Sequence, residues 1–314
     1  MRAVASLDLL LSEAAGLNLT PAWIDYADPL FRDEPQSRFI PAHWRYDDIK
    51  TLLDAAGRLI DVSLATRRNF IMRNPIAGNN FATTNTLTCA YQMILPGEAA
   101  PSHRHSAHAL RLIVDGRGTY STVNGVKMPM ETGDVVLTPG WFWHGHGHDG
   151  DSPAYWIDGL DIPLMRLLEP VFFEEHPDRY ENVVSVAATS PFRFSRESIA
   201  TGLDKAKPDP EGFHGSRITL DAPDMPSMGL AMERLSSGFS RRRQRSTADH
   251  VFAVVEGSGE TLISSARFTW KPGDAFAIPK WNKYEHHAVT DSVLFDLSNE
   301  PLMRFTKYYR FEAD

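Results

Sequence analysis

The chain has 314 residues, 42% of them hydrophobic and 11% aromatic, which is ordinary globular material for about two domains or one large β-rich unit. A mean hydropathy of -0.30 without any apolar run of about 18 residues argues against a membrane span, and a net charge of -8 with a pI near 5.8 disfavours a general nucleic-acid binder. The single cysteine, Cys89, excludes an internal disulfide and any metal site built from several thiolates.

The start of the chain is apolar from Met1 to Leu11 but is interrupted by Asp8 and followed by Glu13, with no cleavage site. It reads as an amphipathic first helix rather than a signal peptide, and a cytoplasmic setting is expected. Residues 1–80 are predicted to form a helical N-terminal segment. Leu52, Leu53, Ala56 and Leu59 recur at helix spacing, while Pro21, Pro29, Pro35 and Pro41 punctuate the earlier part. From about 82 the texture becomes that of an all-β barrel: short β-branched and aromatic runs alternate with Gly, Pro and Asp turns. Cys89 falls in such a run and reads as a small buried thiol. Asn124-Gly125 is a hairpin signal, because both residues tolerate positive φ. A first barrel is expected over 81–162, then a linker over 163–205 with a helix at Leu164–Glu175, then a second barrel over 206–314. Within the second barrel the basic run Arg241-Arg242-Arg243-Gln244-Arg245 reads as a solvated or subunit-contact loop rather than a phosphate track.

An internal repeat supports this division. Val114-Asp115-Gly116-Arg117-Gly118 is echoed by Val255-Glu256-Gly257-Ser258-Gly259, and Glu131-Thr132-Gly133-Asp134 with Pro139 by Lys271-Pro272-Gly273-Asp274 with Pro279. Two copies of one β unit about 140 residues apart indicate duplicated barrels. The first copy holds His103-Arg104-His105, and residues two apart on a strand share a face. A third histidine, His144, follows Gly133-Asp134-x4-Pro139-x4. Three neutral imidazoles on one side of a metal leave the opposite positions open for substrate and O2. The competing reading, ordinary surface or core histidines among the 12 present, does not account for this placement. Imidazoles alone also suit Zn, Ni, Mn and Cu.

This pattern resembles the cupin superfamily, in which His-x-His follows a Gly turn and Gly-x5-Pro precedes a later His. Most cupins add a glutamate shortly after His-x-His; Ser106-Ala107-His108-Ala109-Leu110 has no carboxylate. That loss, with Ala109-Leu110-Arg111, Trp143-His144-Gly145-His146-Gly147 and the run from Trp156 to Pro163, is similar to the gentisate and salicylate 1,2-dioxygenases. The resemblance extends upstream to Pro41–Tyr46 and to Arg67-Arg68 through Asn74-Pro75. It implies a mainly β bicupin, two double-stranded β-helix barrels behind a helical N-terminal segment, with one Fe(II) per chain on His103, His105 and His144. In the second barrel Gln244 and Ser246 stand where His103 and His105 do, and Tyr284 falls near His144, so that barrel is expected to be metal-free.

The implied reaction is an extradiol-type cleavage between the carboxylate- and hydroxyl-bearing carbons of a hydroxybenzoate, both atoms of O2 entering one keto acid. Gentisate is the first choice, then salicylate or a substituted salicylate, then 1-hydroxy-2-naphthoate. Arg111, placed six residues after His105 on a continuation of the same strand, is expected to meet the substrate carboxylate or the oxygen adduct, because a guanidinium binds bidentately. His146, two residues after His144, is expected to accept the proton of the substrate hydroxyl. By resemblance Arg67 and Arg68 are the family's paired arginines for binding substrate, one of which closes over the site, Gln92 and Asp158 are polar supporting residues, and Trp156 is a pocket wall. Gentisate enzymes commonly carry an Asp where this chain has Gly145, and the loss of an acidic side chain beside the pocket is expected to remove a contact to the substrate's second hydroxyl or to admit a different substituent. Competing expectations are another metal-dependent cupin enzyme (an isomerase or decarboxylase) and a bicupin that binds a small acid without catalysis. Partners are the aromatic acid and O2, with no nucleic acid and no membrane, in a homo-oligomer such as a dimer or tetramer.

Overall fold

Strand periodicity, with residues i and i+2 on one face, sorts the strands into four sheets. The structure, a computed structural model, describes residues 6–24, 29–62 and 64–314, so the first five residues of the apolar start lie outside the described part. Residues up to Pro35 form one unit and Gln36–Asp314 another. The first unit contains α1 (Leu7–Gly16), opened by Ser6, whose hydroxyl accepts the Leu9 N–H.

The second unit begins with β1 (Ala42–Trp44), α2 (Tyr46–Leu59) and β2 (Arg68–Ile71). The first barrel proper follows as β3 (Thr88–Ile94), β4 (Ala99–His105), β5 (Ala109–Asp115), β6 (Thr119–Val123), β7 (Val126–Met130), β8 (Val135–Thr138), β9 (His144–His148) and β10 (Ala154–Leu160). The connection holds α3 (Ile162–Leu168), β11 (Phe173–Glu175), β12 (Ser185–Val186), β13 (Arg193–Phe194) and α4 (Arg196–Lys205). The second barrel is β14 (Ser216–Thr219), β15 (Gly229–Leu235), β16 (Gln244–Ser246), β17 (His250–Glu256), β18 (Gly259–Ile263) and β19 (Ala266–Trp270). It continues with β20 (Ala275–Ile278), β21 (Tyr284–Ala288), β22 (Ser292–Ser298), α5 (Glu300–Phe305) and β23 (Phe311–Ala313).

Sheets β13-β8-β5-β10-β3-β2 and β11-β4-β9-β6-β7-β12 enclose the first barrel; β1-β20-β17-β22-β15-β14 and β19-β18-β21-β16-β23 enclose the second. Each interior has its own apolar cluster, around Ile113, Met128 and Trp156 in the first and Phe252, Trp270 and Phe276 in the second. A third and larger cluster lies between the barrels, where Tyr91, Leu110, Leu112 and Ile157 meet Leu230, Met232, Val251 and Leu297. One sheet of each barrel is therefore covered on both faces, and its strands read as nearly continuous apolar runs. The chains approach closely there: a Cβ on Gly159 would lie 2.6 Å from Leu297 Cδ2.

The repeat seen in sequence has a common purpose in the two barrels. Gly133 and Gly273 take φ of 90° and 88°, which glycine tolerates, and the following Asp134 and Asp274 accept the N–H three residues back, from Glu131 and Lys271. The other oxygen of each aspartate receives the first N–H of a helix, Arg196 of α4 on Asp134 and Tyr46 of α2 on Asp274, both at 2.8 Å. The strand before each helix joins the same edge: β13 pairs with β8 and β1 with β20. Each helix then crosses to the other barrel, α2 onto β2 and β3, α4 onto β14 and β15.

Three expectations change accordingly. Residues 36–80 are not simply helical, because they give β1 to the second barrel and β2 to the first. The helix expected over Leu164–Glu175 stops at Leu168, where Glu169 turns to a left-handed φ of 70° ahead of Pro170, and residues 173–175 pair with β4 instead. Arg241 is not part of a solvated loop: it is buried and ion-paired with Glu233, itself fully buried. Cys89 is a buried thiol as read, pushed up to about 12 by burial. Among the described residues no helix is long and apolar enough to cross a membrane.

Two outcomes are expected. Asp274→Ala removes the turn and the α2 cap together and should lower stability by about 2 kcal/mol, read as a drop in unfolding midpoint. The buried carboxylates Asp296 and Glu233 are both held below the ordinary carboxylate range, although burial opposes it: Asp296 by His250 and Arg217, Glu233 by Arg241 and Arg217. Their contribution is complete above the unfolded carboxylate value of about 4 and is lost as pH falls below it, so the thermal midpoint should fall with pH in that window. An Asp296→Asn variant should show a shallower fall.

Candidate metal centre and active site

The histidine cluster depends on a local irregularity in β4. Ala100 stands opposite His146 and His103 opposite His144, so one extra residue is inserted between them on β4. Pro101, which has no N–H for the ladder, lies in that bulge. The bulge turns His103 and His105 inward, while Ser102 points away and accepts the Glu181 N–H. The rings of His103, His105 and His144 have centroids 4.4–5.3 Å apart, and one ring nitrogen from each lies within 4.8 Å of the others.

These rings suit a divalent cation. His105 Nδ1 donates to the Ala107 carbonyl at 2.8 Å and His144 Nδ1 to the Phe142 carbonyl at 3.0 Å, which leaves the Nε2 lone pairs free for a metal. Burial, joined by the positive charge of Arg67 and Arg111, holds His103 down to about 2 and His105 to about 4, and burial with Arg111 depresses His144 strongly. All three are neutral imidazoles at ordinary pH, the form that binds metal.

The remaining residues converge by parity. On β5, Leu110 and Leu112 enter the core between the barrels, so Arg111 and Ile113 face the interior. Arg111 is on the strand after the His-x-His strand, not a continuation of it, and stands in the opposite sheet. Its Nη1 donates to Thr138 Oγ1 at 2.7 Å, and its Nε lies 3.6 Å from Asp158, which in turn accepts Trp156 Nε1 at 3.0 Å. Burial raises Asp158 to about 6 despite Arg111. His146 lies on the same face of β9 as His144, its ring 5.7 Å from Trp156, and its Nδ1 has no protein partner among the described residues. Gln92 is buried on β3 directly opposite Trp156.

Parity also separates the paired arginines. Arg68 stands opposite Met93, on the face away from Gln92, and its guanidinium is held by Glu98 and the Ile60 carbonyl. It is not brought to the histidines, contrary to expectation. Arg67 is on the other side, donates to the Pro101 carbonyl, and is lowered to about 10 by burial and then by Arg111. The Gly145 expectation is likewise corrected: a Cβ there would point outward, 2.7 Å from Ser102 Oγ, so its side of β9 does not border the site.

Two contributions leave little trace in the sequence. Thr138 holds Arg111, and only its inward parity just before Pro139 hints at this. His108 staples the two loops that carry the histidines. Gly140 N–H donates to His108 Nδ1 at 2.9 Å, His108 N–H to Asp161 at 2.9 Å, and Ser227 of the second barrel also donates to Asp161. His108→Ala should release the loop before His144 and lower metal retention about 10–100-fold, whereas His108→Asn keeps an acceptor there and should retain most of it. Metal content after dialysis against chelator is the measurement.

Comparison with known proteins agrees with this arrangement. The cupin domain family matches residues 90–162. The chain is 42% identical to a gentisate 1,2-dioxygenase of Ralstonia sp over 93% of its own length and 90% of that protein. It is 32% identical to gentisate 1,2-dioxygenase 1 of Aquipseudomonas alcaligenes over 93% and 92%. The fold superposes on the salicylate 1,2-dioxygenase of Pseudoaminobacter salicylatoxidans, crystallised as an adduct with gentisate, with a TM-score of 0.89, 27% identity and coverage of 100% and 95%. The inward histidines, the duplicated barrels and this similarity along nearly the whole chain converge: the protein is a bicupin, and it belongs to the gentisate 1,2-dioxygenase family of ring-cleaving dioxygenases.

Proposed function

We propose that this chain cleaves gentisate with O2, using Fe(II) held by His103, His105 and His144. The observation that carries the reading is electrostatic. Beside the three neutral imidazoles lie the buried Arg111 and the half-buried Arg67, with Asp158 alone as carboxylate partner among the charged groups acting on them. That surplus of positive charge is matched by an aromatic acid bearing a carboxylate and an ionised hydroxyl. Fe(II), when bound, supplies the activation of O2 and a Lewis-acidic site for the oxygens of the substrate.

The chain's own residues do the rest. Thr138 and Asp158 fix the Arg111 guanidinium from two sides, so it is set before the substrate arrives and stabilises negative charge developing on oxygen. Arg67 faces the same interior and completes the neutralisation of the carboxylate. His146, with an uncommitted Nδ1, takes the proton of the hydroxyl. Trp156 and Gln92 form a wall against one side of the ring. Burial of Arg111, Thr138, Asp158, His146, Trp156 and Gln92 keeps bulk water out, which strengthens each charge interaction. The carbon bearing the carboxylate and the carbon bearing the hydroxyl part from each other, and both oxygen atoms remain in one ring-opened keto acid.

The test is anaerobic reconstitution with Fe(II), then oxygen uptake and ultraviolet spectra with gentisate, salicylate, substituted salicylates and 1-hydroxy-2-naphthoate. One O2 consumed per gentisate, and none in His103→Ala, is the expected result. Absence of uptake with every compound, despite one bound iron, would sink the reading and favour another cupin chemistry. Arg111→Lys, which loses the fork geometry, should lower kcat/KM about 100-fold, while Arg68→Ala should spare kcat and reduce thermal stability instead.

A further inference from the structure

A cavity of about 550 Å³ opens in the second barrel, away from the histidine cluster. Gln244, Ser246 and Tyr284 line it, and Gln244 faces Tyr284 across the strands as His103 faces His144. An amide, a hydroxyl and a phenol replace three imidazoles, so the place of the metal is kept as space but not as a ligand set. The amide and phenol bond each other at 3.0 Å.

The charges around this cavity are balanced. Arg217 pairs with Asp296 at 2.7 Å and with Glu233 at 3.4 Å; Arg241 pairs with Glu233; His250 donates to Asp296 at 2.9 Å. Farther out, Arg304 pairs with Glu300 and Arg245 with Glu312. Each of these arginines has a carboxylate, in contrast to the shared Asp158 of the first barrel. A carboxylate ligand would have to displace one of these pairs, which is costly for buried ions.

Unmet hydrogen-bonding capacity remains. Arg241 Nε is a donor and Gln244 Oε1 an acceptor without partners among the described residues, on side chains only 2% and 3% exposed, and His214 Nδ1 is in the same position. Tyr284, Tyr309, Phe311 and Leu230 supply apolar faces. We propose that the second barrel binds a small, uncharged ring compound carrying hydroxyl groups. A hydroxyl both donates and accepts, so it suits a lining of amide and hydroxyl groups from Gln244, Ser246, Tyr284 and Tyr309, while the ring lies against the aromatic side chains. The volume is in the range of small-molecule sites. Phenols and monosaccharides share this chemistry.

The experiment is calorimetric titration of the Fe(II) holoenzyme, kept anaerobic and saturated with gentisate at the first site, using hydroquinone and glucose as probes. Hydroquinone is gentisate without its carboxylate, so it isolates the charge argument. One equivalent of either probe per chain is expected: hydroquinone alone identifies the phenolic source, glucose alone the saccharide. Gln244→Met, which removes the amide from the lining, should weaken binding about tenfold. Thr219→Trp, placed at an exposed position in the wall, should plug the cavity without loss of fold. Oxygen uptake with gentisate should stay unchanged in both variants. Failure of both probes to bind at millimolar concentration, an affinity unaltered in both variants, or displacement of the bound probe by excess gentisate would each overturn the proposal.

Discussion

Packing between the barrels is the constraint on which the rest depends. Because β3, β5 and β10 bury Tyr91, Leu110, Leu112 and Ile157 against the second barrel, their alternate residues are forced into the first barrel's interior. A slip by one residue would send Gln92, Arg111, Trp156 and Asp158 into an apolar interface and leave leucines facing the histidines. The register of the polar site is thus set by hydrophobic burial on the opposite side of the same sheet. The reciprocal crossings of α2 and α4, each capped by the Gly-Asp turn of one barrel and packed on the other, hold the two sheets at this separation.

Within that frame the two interiors have diverged in charge rather than in shape. The first gathers neutral imidazoles beside two arginines that share Asp158, an arrangement costly to bury and relieved by an anionic ligand. The second closes Arg217 and Arg241 into pairs through Asp296 and Glu233. The two equivalent barrels therefore differ in charge balance: one retains an electrostatic imbalance suited to chemistry, and the other balances its charges.

Several features of the site come from residues with no chemistry of their own. Pro101 marks the bulge that sets the facing of His103, Thr138 fixes a guanidinium, and His108 joins the loops on either side of the metal-binding face. Ser227, from the second barrel, ends that chain of hydrogen bonds on Asp161. The second barrel is thus mechanically connected to the first site even where it carries no ligand to it.

The sequence by itself determined the duplicated β architecture, since the repeated Gly-Asp turns, the Asn-Gly hairpin and period-two patterning are local chemistry. It also determined the histidine triad, because His-x-His on a strand and a third His at fixed distance from a turn are short-range signals. It did not determine which of Arg67 and Arg68 reaches the site, that Gly145 faces outward, that Arg241 is buried, or that residues 36–80 and 163–205 lend strands to the barrels. Those follow from strand register, a bulge and ion pairs between segments distant in sequence, such as Arg217 with Asp296. Only the tertiary structure decides them, because the facing of a strand residue depends on which neighbour its strand pairs with, and that choice is made by burial across the whole fold.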